Sequence, residues 1–300
     1  MDDASSEEND VDADLRQGMT HPGHGHGLLD VVRRRYLLSL LVRKDVQIRY
    51  RGSILGWFWS FVKPTAQFLV YYVAMGQFLG LNKGMPNFAI YLFSGLLIIN
   101  VFNEAFGNGT RSIVENAALV KKIYMPRELF PTASAFIALV NFLPQVLVLL
   151  IVCVLVGWHP SPTQLLALLL GIAVIMVLAL GLSLLFSAID VSLRDAESIV
   201  EMILMFTTWL SPVLYNLNLV RQALPGWAYR LYQLNPITNA VGLFHYAFWL
   251  PTTDQSPATM AFIGEHVMLY GVYGLAIAGV FLLIGQAVFR RLEKNFAQDL

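Results

Sequence analysis

The chain has 300 residues, with 20 acidic and 20 basic side chains, so its formal net charge at pH 7 is zero. Hydrophobic residues make up 56% and charged residues 13%, against about 25% charged residues in soluble domains, which excludes an ordinary water-soluble domain. The balanced charge gives no field that attracts nucleic acid, and the single cysteine, Cys153, excludes an internal disulfide and a cysteine-based zinc site.

Residues 1–29 are acidic and then rich in glycine and histidine, without hydrophobic periodicity, and are predicted to form a disordered tail. His21, His24 and His26 lie in this tail, but a glycine-rich segment gives them no fixed geometry, so no metal site is assigned. Residues 30–300 are predicted to form one transmembrane domain.

The segment from Asp30 to Arg51 combines apolar residues at helical spacing with a dense basic set. This pattern predicts an amphipathic helix in the cytoplasmic membrane interface. The basic residues have two interpretations: anchoring next to anionic lipid, or docking the phosphates of an anionic lipid-linked substrate. The candidates for the second role, or for a gate, are Arg43, Lys44, Arg49 and Arg51.

Six apolar stretches then reach about the 20 residues that a helix needs to cross a bilayer. The fifth is the weakest, because Glu197 and Glu201 lie at its start and Pro212 interrupts its end. The fold class is therefore predicted to be an all-α integral membrane protein with six transmembrane helices. The stretches are Trp57–Leu79, Phe88–Gly107, Phe130–Gly157, Thr163–Ile189, Ser198–Leu217 and His266–Phe289.

The lysines and arginines decide the orientation of these six predicted spans. With the N-terminus inside, only Lys83, Arg221 and Arg230 of the 20 basic residues fall outside. Because cytoplasmic loops carry the excess of positive charge, both termini are predicted to lie in the cytoplasm.

Two connecting segments carry structure of their own. Residues 115–128 form a polar helix candidate on the cytoplasmic side, ended by Pro126; a docking partner or a plain surface turn both explain it. Residues 218–265 are aromatic, poor in charge and broken by prolines, which favours re-entrant or gate helices before the last span over a plain extracellular loop.

Aromatic side chains are concentrated in the first and fifth predicted spans. They can face lipid and pack against neighbouring helices, or they can line a path on which sugar rings slide by weak contacts. The candidates for a substrate path are Phe68, Tyr71, Tyr72, Phe206 and Trp209.

Several kinds of chemistry are missing from the sequence. It contains no G-x-x-x-x-G-K-[ST] loop, so any ATP, with its Mg, must be bound and used by a partner. Acidic and histidine residues are missing from the middle of the spans, which weakens an ion-coupled transporter, and no catalytic constellation is present. The chain is predicted to be a transport subunit without enzymatic activity or a cofactor of its own.

Two motifs carry a family resemblance. Residues 43–56, running into Trp59 and Pro64, and residues 116–131 resemble the membrane subunits of type 2 ABC exporters. The resemblance covers roughly residues 30–300 and is strongest to permeases that export lipid-linked polysaccharides, such as O-antigens, teichoic acids and mycobacterial galactan.

The resemblance implies roles for these segments. The first motif resembles the interface helix near the cytoplasmic gate, and residues 192–199 and 225–249 resemble the family's Arg-Asp loop and outer gate helices. Such permeases form homodimers that bind two copies of an ABC nucleotide-binding protein. The second motif resembles the coupling helix that contacts that protein, and the expected contacts are Lys121, Lys122, Tyr124, Pro126 and Arg127.

The function expected from this resemblance is export of a polyprenyl-pyrophosphate-linked polysaccharide, galactan or O-antigen-like, across a bacterial cytoplasmic membrane. Two alternatives remain open: an ABC-2 exporter of lipids or drugs, and a membrane scaffold for glycan assembly that transports nothing. The glycan itself and the role of the tail are not assigned.

Overall fold

The computed structural model describes residues 27–50, 58–122, 125–296 and 300, and the regular elements in these ranges are helices. The first helix begins at Leu28, inside the segment predicted as a tail; the rest of that tail up to residue 26 lies outside the described residues. The α-helices are α1 Leu28–Arg33, α2 Arg35–Tyr50, α3 Trp59–Tyr71, α4 Phe88–Glu115, α5 Ala117–Lys122, α6 Leu129–Leu155, α7 Pro162–Ser192, α8 Ala196–Thr207, α9 Leu217–Ala223, α10 Gly226–Gln233, α11 Pro236–Phe244, α12 Pro257–Met260 and α13 Val267–Leu292.

Four helices in the described ranges are long and apolar enough to cross a membrane: α4, α6, α7, and α13 with the turn after it. Each has at least 27 residues, whereas about 20 suffice for a hydrocarbon core of about 30 Å at 1.5 Å per residue. They correspond to the second, third, fourth and sixth predicted spans. The structure is therefore all-helical with four candidate membrane spans.

The first predicted span is helical but changes its winding. The 13 residues of α3 continue into a seven-residue π-helix, Tyr72–Phe78, so the chain stays helical from Trp59 to Phe78. None of the residues of α3 is buried within the chain. This helix therefore leaves much of its surface free for lipid or for another subunit.

The fifth predicted span is not one continuous helix. Only α8, with 12 residues, is helical, and turns occupy residues 208–215. Pro212 explains this end, because a proline lacks the N–H of the helical ladder and its ring clashes with the carbonyl four residues earlier, here that of Thr208. Tyr91 of α4 contacts the turns that follow α8. Its hydroxyl lies 2.9 Å from the Pro212 carbonyl oxygen and 3.0 Å from that of Tyr215.

One end of the helical bundle gathers most of the described basic residues and is called the basic end below. Here α4, α7 and α13 finish and α6 begins, and apolar side chains from these helices pack with α1, α2 and α5. This smaller hydrophobic cluster consists of Val31, Leu41, Ile113, Val120, Leu129, Phe130, Ala133, Leu184, Ala188, Val191, Phe289 and Phe296. A larger cluster fills the rest of the bundle.

Small residues allow α7 to approach both of its neighbours closely. A Cβ atom added at Gly109 of α4 would overlap the Ser183 side chain of α7, whose hydroxyl donates to the Ala105 carbonyl. A Cβ atom at Gly181 would lie 2.6 Å from the backbone nitrogen of Leu282 in α13. The three helices therefore form a tightly packed unit that carries the basic end.

Candidate functional site

The short helix α5 projects two lysines from the basic end. Asn116 ends α4, and its backbone carbonyl accepts hydrogen bonds from the N–H groups of Leu119 and Val120, which start the next helical turn. Val120 is buried in the smaller cluster, whereas Lys121 and Lys122 are exposed. The helix is thus fixed on one face and presents positive charge on the other, as expected for a segment on which another protein docks.

Arg127, predicted together with these lysines, points into the chain instead of outward. Its guanidinium donates a hydrogen bond to the backbone carbonyl of Glu293, and its Nε lies 4.0 Å from the Glu293 carboxylate. The guanidinium carbon lies 5.4 Å from the centre of the Phe296 ring, and the side chain is 17% exposed. Pro126 is half-buried beside it, and Tyr124 lies outside the described residues.

Glu128 makes a second contact between this loop and α13. Glu128 is only 3% exposed, and its carboxylate accepts a hydrogen bond of 3.1 Å from the side-chain amide of Gln286. No sequence pattern indicates this pairing, because the two residues are 158 positions apart. The same holds for Arg127 and Glu293, at a separation of 166.

Arg111 ties the end of α4 to the start of α8. Its guanidinium lies 2.9 Å from the carboxylate of Glu197, 3.8 Å from that of Glu201 and 3.8 Å from that of Glu115. Sequence reasoning missed this cluster, although the two glutamates at the start of an apolar stretch were a signal, since such charges need a partner near a membrane.

The predicted phosphate-binding residues of α2 are only partly described. Arg43 is exposed, whereas Lys44 lies 3.7 Å from Asp45 and 3.5 Å from the side-chain oxygen of Asn116. The side chain of Arg49 and the whole of Arg51 lie outside the described residues. A cavity of about 390 Å³ opens between α2, α4 and α6, and its polar lining is Asp45, Asn108, Ser112, Glu115, Asn116 and Ser134.

Four of the five predicted path residues come together on and beside α3. The Phe68 ring packs edge-on against Phe93 of α4 at 5.4 Å and stacks on Tyr72 at 5.7 Å. Tyr71 lies edge-on to Trp209 at 6.4 Å, which joins α3 to the turn after α8. Trp209 is 50% exposed, and Phe206 on α8 is 48% exposed. The result is a half-buried aromatic surface that continues across both helices.

The end of the bundle opposite the basic end is covered by the short helices α9–α12. Tyr91 of α4 stacks on His245 with ring centres 3.6 Å apart, and the indole N–H of Trp249 donates to the Pro86 carbonyl at 2.7 Å. Burial raises the pKa of Tyr232 in α10 above its ordinary value, so this hydroxyl stays neutral beside that of Tyr215, 3.4 Å away. Of the predicted gate helices, α11 and the π-helical turn after it are packed into the bundle, whereas α10 buries none of its residues.

The described residues contain no group of three or more histidine, cysteine, aspartate or glutamate side chains that could hold a metal ion. The candidate features are instead the basic helix α5, the aromatic surface around α3 and the short helices opposite the basic end. A family model described as ABC-2 type transporter matches residues 36–249. The chain belongs to this family.

Relatives of this ABC-2 permease match it over most of its length. The O-antigen export system permease proteins RfbA of Klebsiella pneumoniae and Myxococcus xanthus are 25% and 26% identical, over 88% and 89% of this chain and 96% of theirs. The polysialic acid transport protein KpsM of Escherichia coli is 22% identical over 87% of this chain and 95% of its own.

Membership of the family fixes the general role of the chain. It is a multi-pass membrane permease, the transmembrane, non-catalytic subunit that works with a separate ATPase. The membrane subunit of this family has no cofactor of its own.

Proposed function

We propose that this permease exports a polyprenyl-pyrophosphate-linked polysaccharide, galactan or O-antigen-like, driven by ATP hydrolysis in a partner subunit. The observation that carries the proposal is its similarity, along at least 87% of its length, to proteins named for the export of O-antigen and the transport of polysialic acid. A capsule polysaccharide export inner-membrane protein of Neisseria meningitidis is similar over 88% of this chain. The polysaccharides named for these relatives differ, which supports a glycan as the cargo class.

The proposed topology has six spans with both termini in the cytoplasm. The basic end supports this orientation, because α4, α7 and α13 finish there and α6 begins there, close to Arg111, Arg127 and Arg290. In this arrangement α3 with its π-helix is the first span, and α8 with the turns after it is the fifth. A short helix followed by turns can lie at membrane depth where neighbouring residues satisfy its backbone, as Tyr91 does for Pro212 and Tyr215.

Two copies of the permease and two copies of the ATPase form the proposed complex. The exposed apolar faces of α3 and α8 lie next to each other, joined by Tyr71 and Trp209, and would meet the same faces of a second copy. A closed two-fold arrangement of this kind is the commonest one for homo-oligomers. The conduit then runs between the copies.

The aromatic surface is the proposed lining of this conduit. Phe68, Tyr71 and Tyr72 are half-buried, and Phe206 and Trp209 are about half exposed. Aromatic faces contact the apolar faces of sugar rings without fixing a single register, so a long glycan can move past them. Weak, repeated contacts suit a cargo that must be released.

Two basic groups complete the proposal on the cytoplasmic side. Lys121 and Lys122 are exposed on α5 and would contact the ATPase, together with Tyr124 and Pro126 of the same segment. Arg43 and Lys44 on α2, with Arg49 and Arg51, would face the phosphates of the lipid-linked substrate. Guanidinium and ammonium groups match phosphate oxygens by charge-assisted hydrogen bonds.

The test is depletion of the permease in its host. We expect lipid-linked glycan to accumulate inside the cell and cell-surface polysaccharide to fall, while efflux of small hydrophobic dyes is unchanged. Normal surface polysaccharide together with reduced dye or lipid efflux would identify an ABC-2 exporter of drugs or lipids. Reduced surface polysaccharide without accumulation of lipid-linked glycan, and with unchanged efflux, would favour a membrane scaffold for glycan assembly that transports nothing.

A further inference from the structure

Arg127 is engaged within the chain in a way that leaves little of it for a partner protein. Its guanidinium donates to the Glu293 carbonyl, lies beside the Glu293 carboxylate and covers the Phe296 ring. Phe296 is fully buried and packs edge-on against Phe289 of α13 at 5.4 Å. The guanidinium thus makes a hydrogen bond, an ion pair and a cation–π contact at the same time, and the single ammonium group of a lysine would reproduce these contacts only in part.

The next residue, Glu128, contacts the same side of the end of α13. Glu128 accepts a hydrogen bond from Gln286, which lies seven residues, about two helical turns, before Glu293. Glu128 is almost fully buried, so it has no access to a partner protein. Two consecutive residues of the loop before α6 are therefore attached to one stripe at the end of α13.

The end of α13 is in turn fixed to α7. A Cβ atom at Gly285 would overlap the carbonyl oxygen of Gly181, so the two helix backbones are in direct contact there. On the other side of the loop, Val120 of α5 and Phe130 of α6 lie in the same hydrophobic cluster as Phe289 and Phe296. The helix α5, the start of α6 and the α7–α13 pair therefore form one packed unit at the basic end.

We infer that Arg127 and Glu128 act as a clasp, formed with Gln286, Glu293 and Phe296. This clasp fixes the residues just before α6 to the end of α13, and with them the neighbouring helix α5. A push on Lys121 and Lys122 of α5 then moves the α7–α13 pair as a rigid body. Arg127 is a positioning residue in this scheme, and the exposed lysines are the contacts with the ATPase. The inference rests on the proposed function in one respect, namely that the push comes from an ATPase.

The first experiment separates positioning from direct contact. The full permease is purified with its ATPase as the Arg127→Gln variant, the Arg127→Lys variant and the matched double variant Lys121→Gln/Lys122→Gln. In the purified complex Arg127→Gln should retain the ATPase and hydrolyse ATP, while surface polysaccharide on cells that carry this variant falls about tenfold, the change expected from losing one charge-assisted hydrogen bond. Arg127→Lys should recover part of the lost export, and the Lys121→Gln/Lys122→Gln variant should lose the ATPase.

Equal loss of the ATPase from Arg127→Gln and from the lysine variant would overturn the inference, because it would make Arg127 a direct contact. A wild-type permease that retains no ATPase would contradict the proposed function instead. The clasp can still be tested in that event on the permease alone. Hydrogen exchange in nanodiscs should rise in residues 117–122 and 293–296 together when Arg127 becomes glutamine, and unchanged exchange would refute the clasp.

A cross-link tests whether the loop and α13 move as one body. The Glu128→Cys/Gln286→Cys variant is joined by a bis-thiosulfonate reagent that spans the gap left by the two long side chains and is released by reductant, and the native Cys153 is buried and stays out of the reaction. Because the two substitutions remove the Glu128–Gln286 contact, export by the cross-linked variant should equal or exceed export by its reduced form. Loss of export on cross-linking, restored by reductant, would mean that the two segments separate during transport, and the rigid-body inference would be wrong.

Discussion

A Cβ atom at Gly285 of α13 would overlap the carbonyl oxygen of Gly181 in α7, and a Cβ atom at Gly181 would overlap the backbone of Leu282 in α13, so neither glycine has room for a side chain. We expect Gly285→Ala to force the two helices apart and to lower the free energy of unfolding by about 1–3 kcal/mol, as overpacked interiors do. Thermal unfolding of the purified permease in detergent measures the effect. Gly279→Ala in the same helix is the control, because a Cβ atom there meets no neighbour within 4 Å, and equal stability losses in the two variants would contradict the close-contact explanation.

Tyr91 is expected to stabilise the broken end of α8. Its hydroxyl lies within hydrogen-bonding distance of the carbonyl oxygens of Pro212 and Tyr215, which have no helical partners there. Tyr91→Phe keeps the ring but leaves these buried carbonyls without a donor, at a cost of about 1–3 kcal/mol of unfolding free energy. The exposed Tyr273 supplies the control, and a Tyr273→Phe variant as unstable as Tyr91→Phe would show that the hydroxyl of Tyr91 does not hold the turn.

Hydropathy predicts the long helices well, because a helix that crosses the hydrocarbon core must be apolar along about 20 residues. The starts of α4, α6 and α7 fall within one residue of the predicted spans. The end of α4 does not, since the helix runs to Glu115 whereas the apolar stretch ends at Gly107. Polar residues beyond the hydrocarbon core continue the helical ladder without adding to hydropathy.

The fifth span and the clasp show what the sequence could not reveal. Apolar composition does not distinguish one helix from a helix followed by turns, and Pro212 indicated the break without indicating that Tyr91 would hold it. The motif resemblance predicts Arg127 as a contact with the ATPase and does not indicate the neighbours that Arg127 has within the chain. These neighbours, Glu293 and Phe296, are far away in the sequence, and only the packing of α13 against the loop brings them close.

The aromatic surface gives a prediction about cargo. The Tyr71→Ala/Trp209→Ala variant removes the contact that joins α3 to the turn after α8. If sugar rings slide along this surface, surface polysaccharide should fall roughly tenfold, because each lost aromatic contact is worth about 0.5–1.5 kcal/mol. Phe78→Ala, at the exposed end of the π-helix, should leave export unchanged. Normal export by the double variant would return these residues to a packing role.

Arg111 connects α4 to α8 by ion pairs that are partly exposed, so their removal should affect stability little and export more. Arg111→Gln should cost about 0.5–1 kcal/mol of unfolding free energy, the range of screened pairs, but should release the start of α8 from α4 and reduce export. The exchange Arg111→Glu/Glu197→Arg restores opposite charges at the 2.9 Å contact and should recover part of the export. Arg291→Gln at the exposed end of α13 is the control for loss of one positive charge.

The salt dependence of stability shows whether Arg111 acts through its charge. Because salt screens exposed ion pairs, with a Debye length of about 3 Å at 1 M, the difference in unfolding free energy between wild type and Arg111→Gln should shrink in 1 M salt. A difference independent of salt would show that Arg111 acts through packing rather than charge.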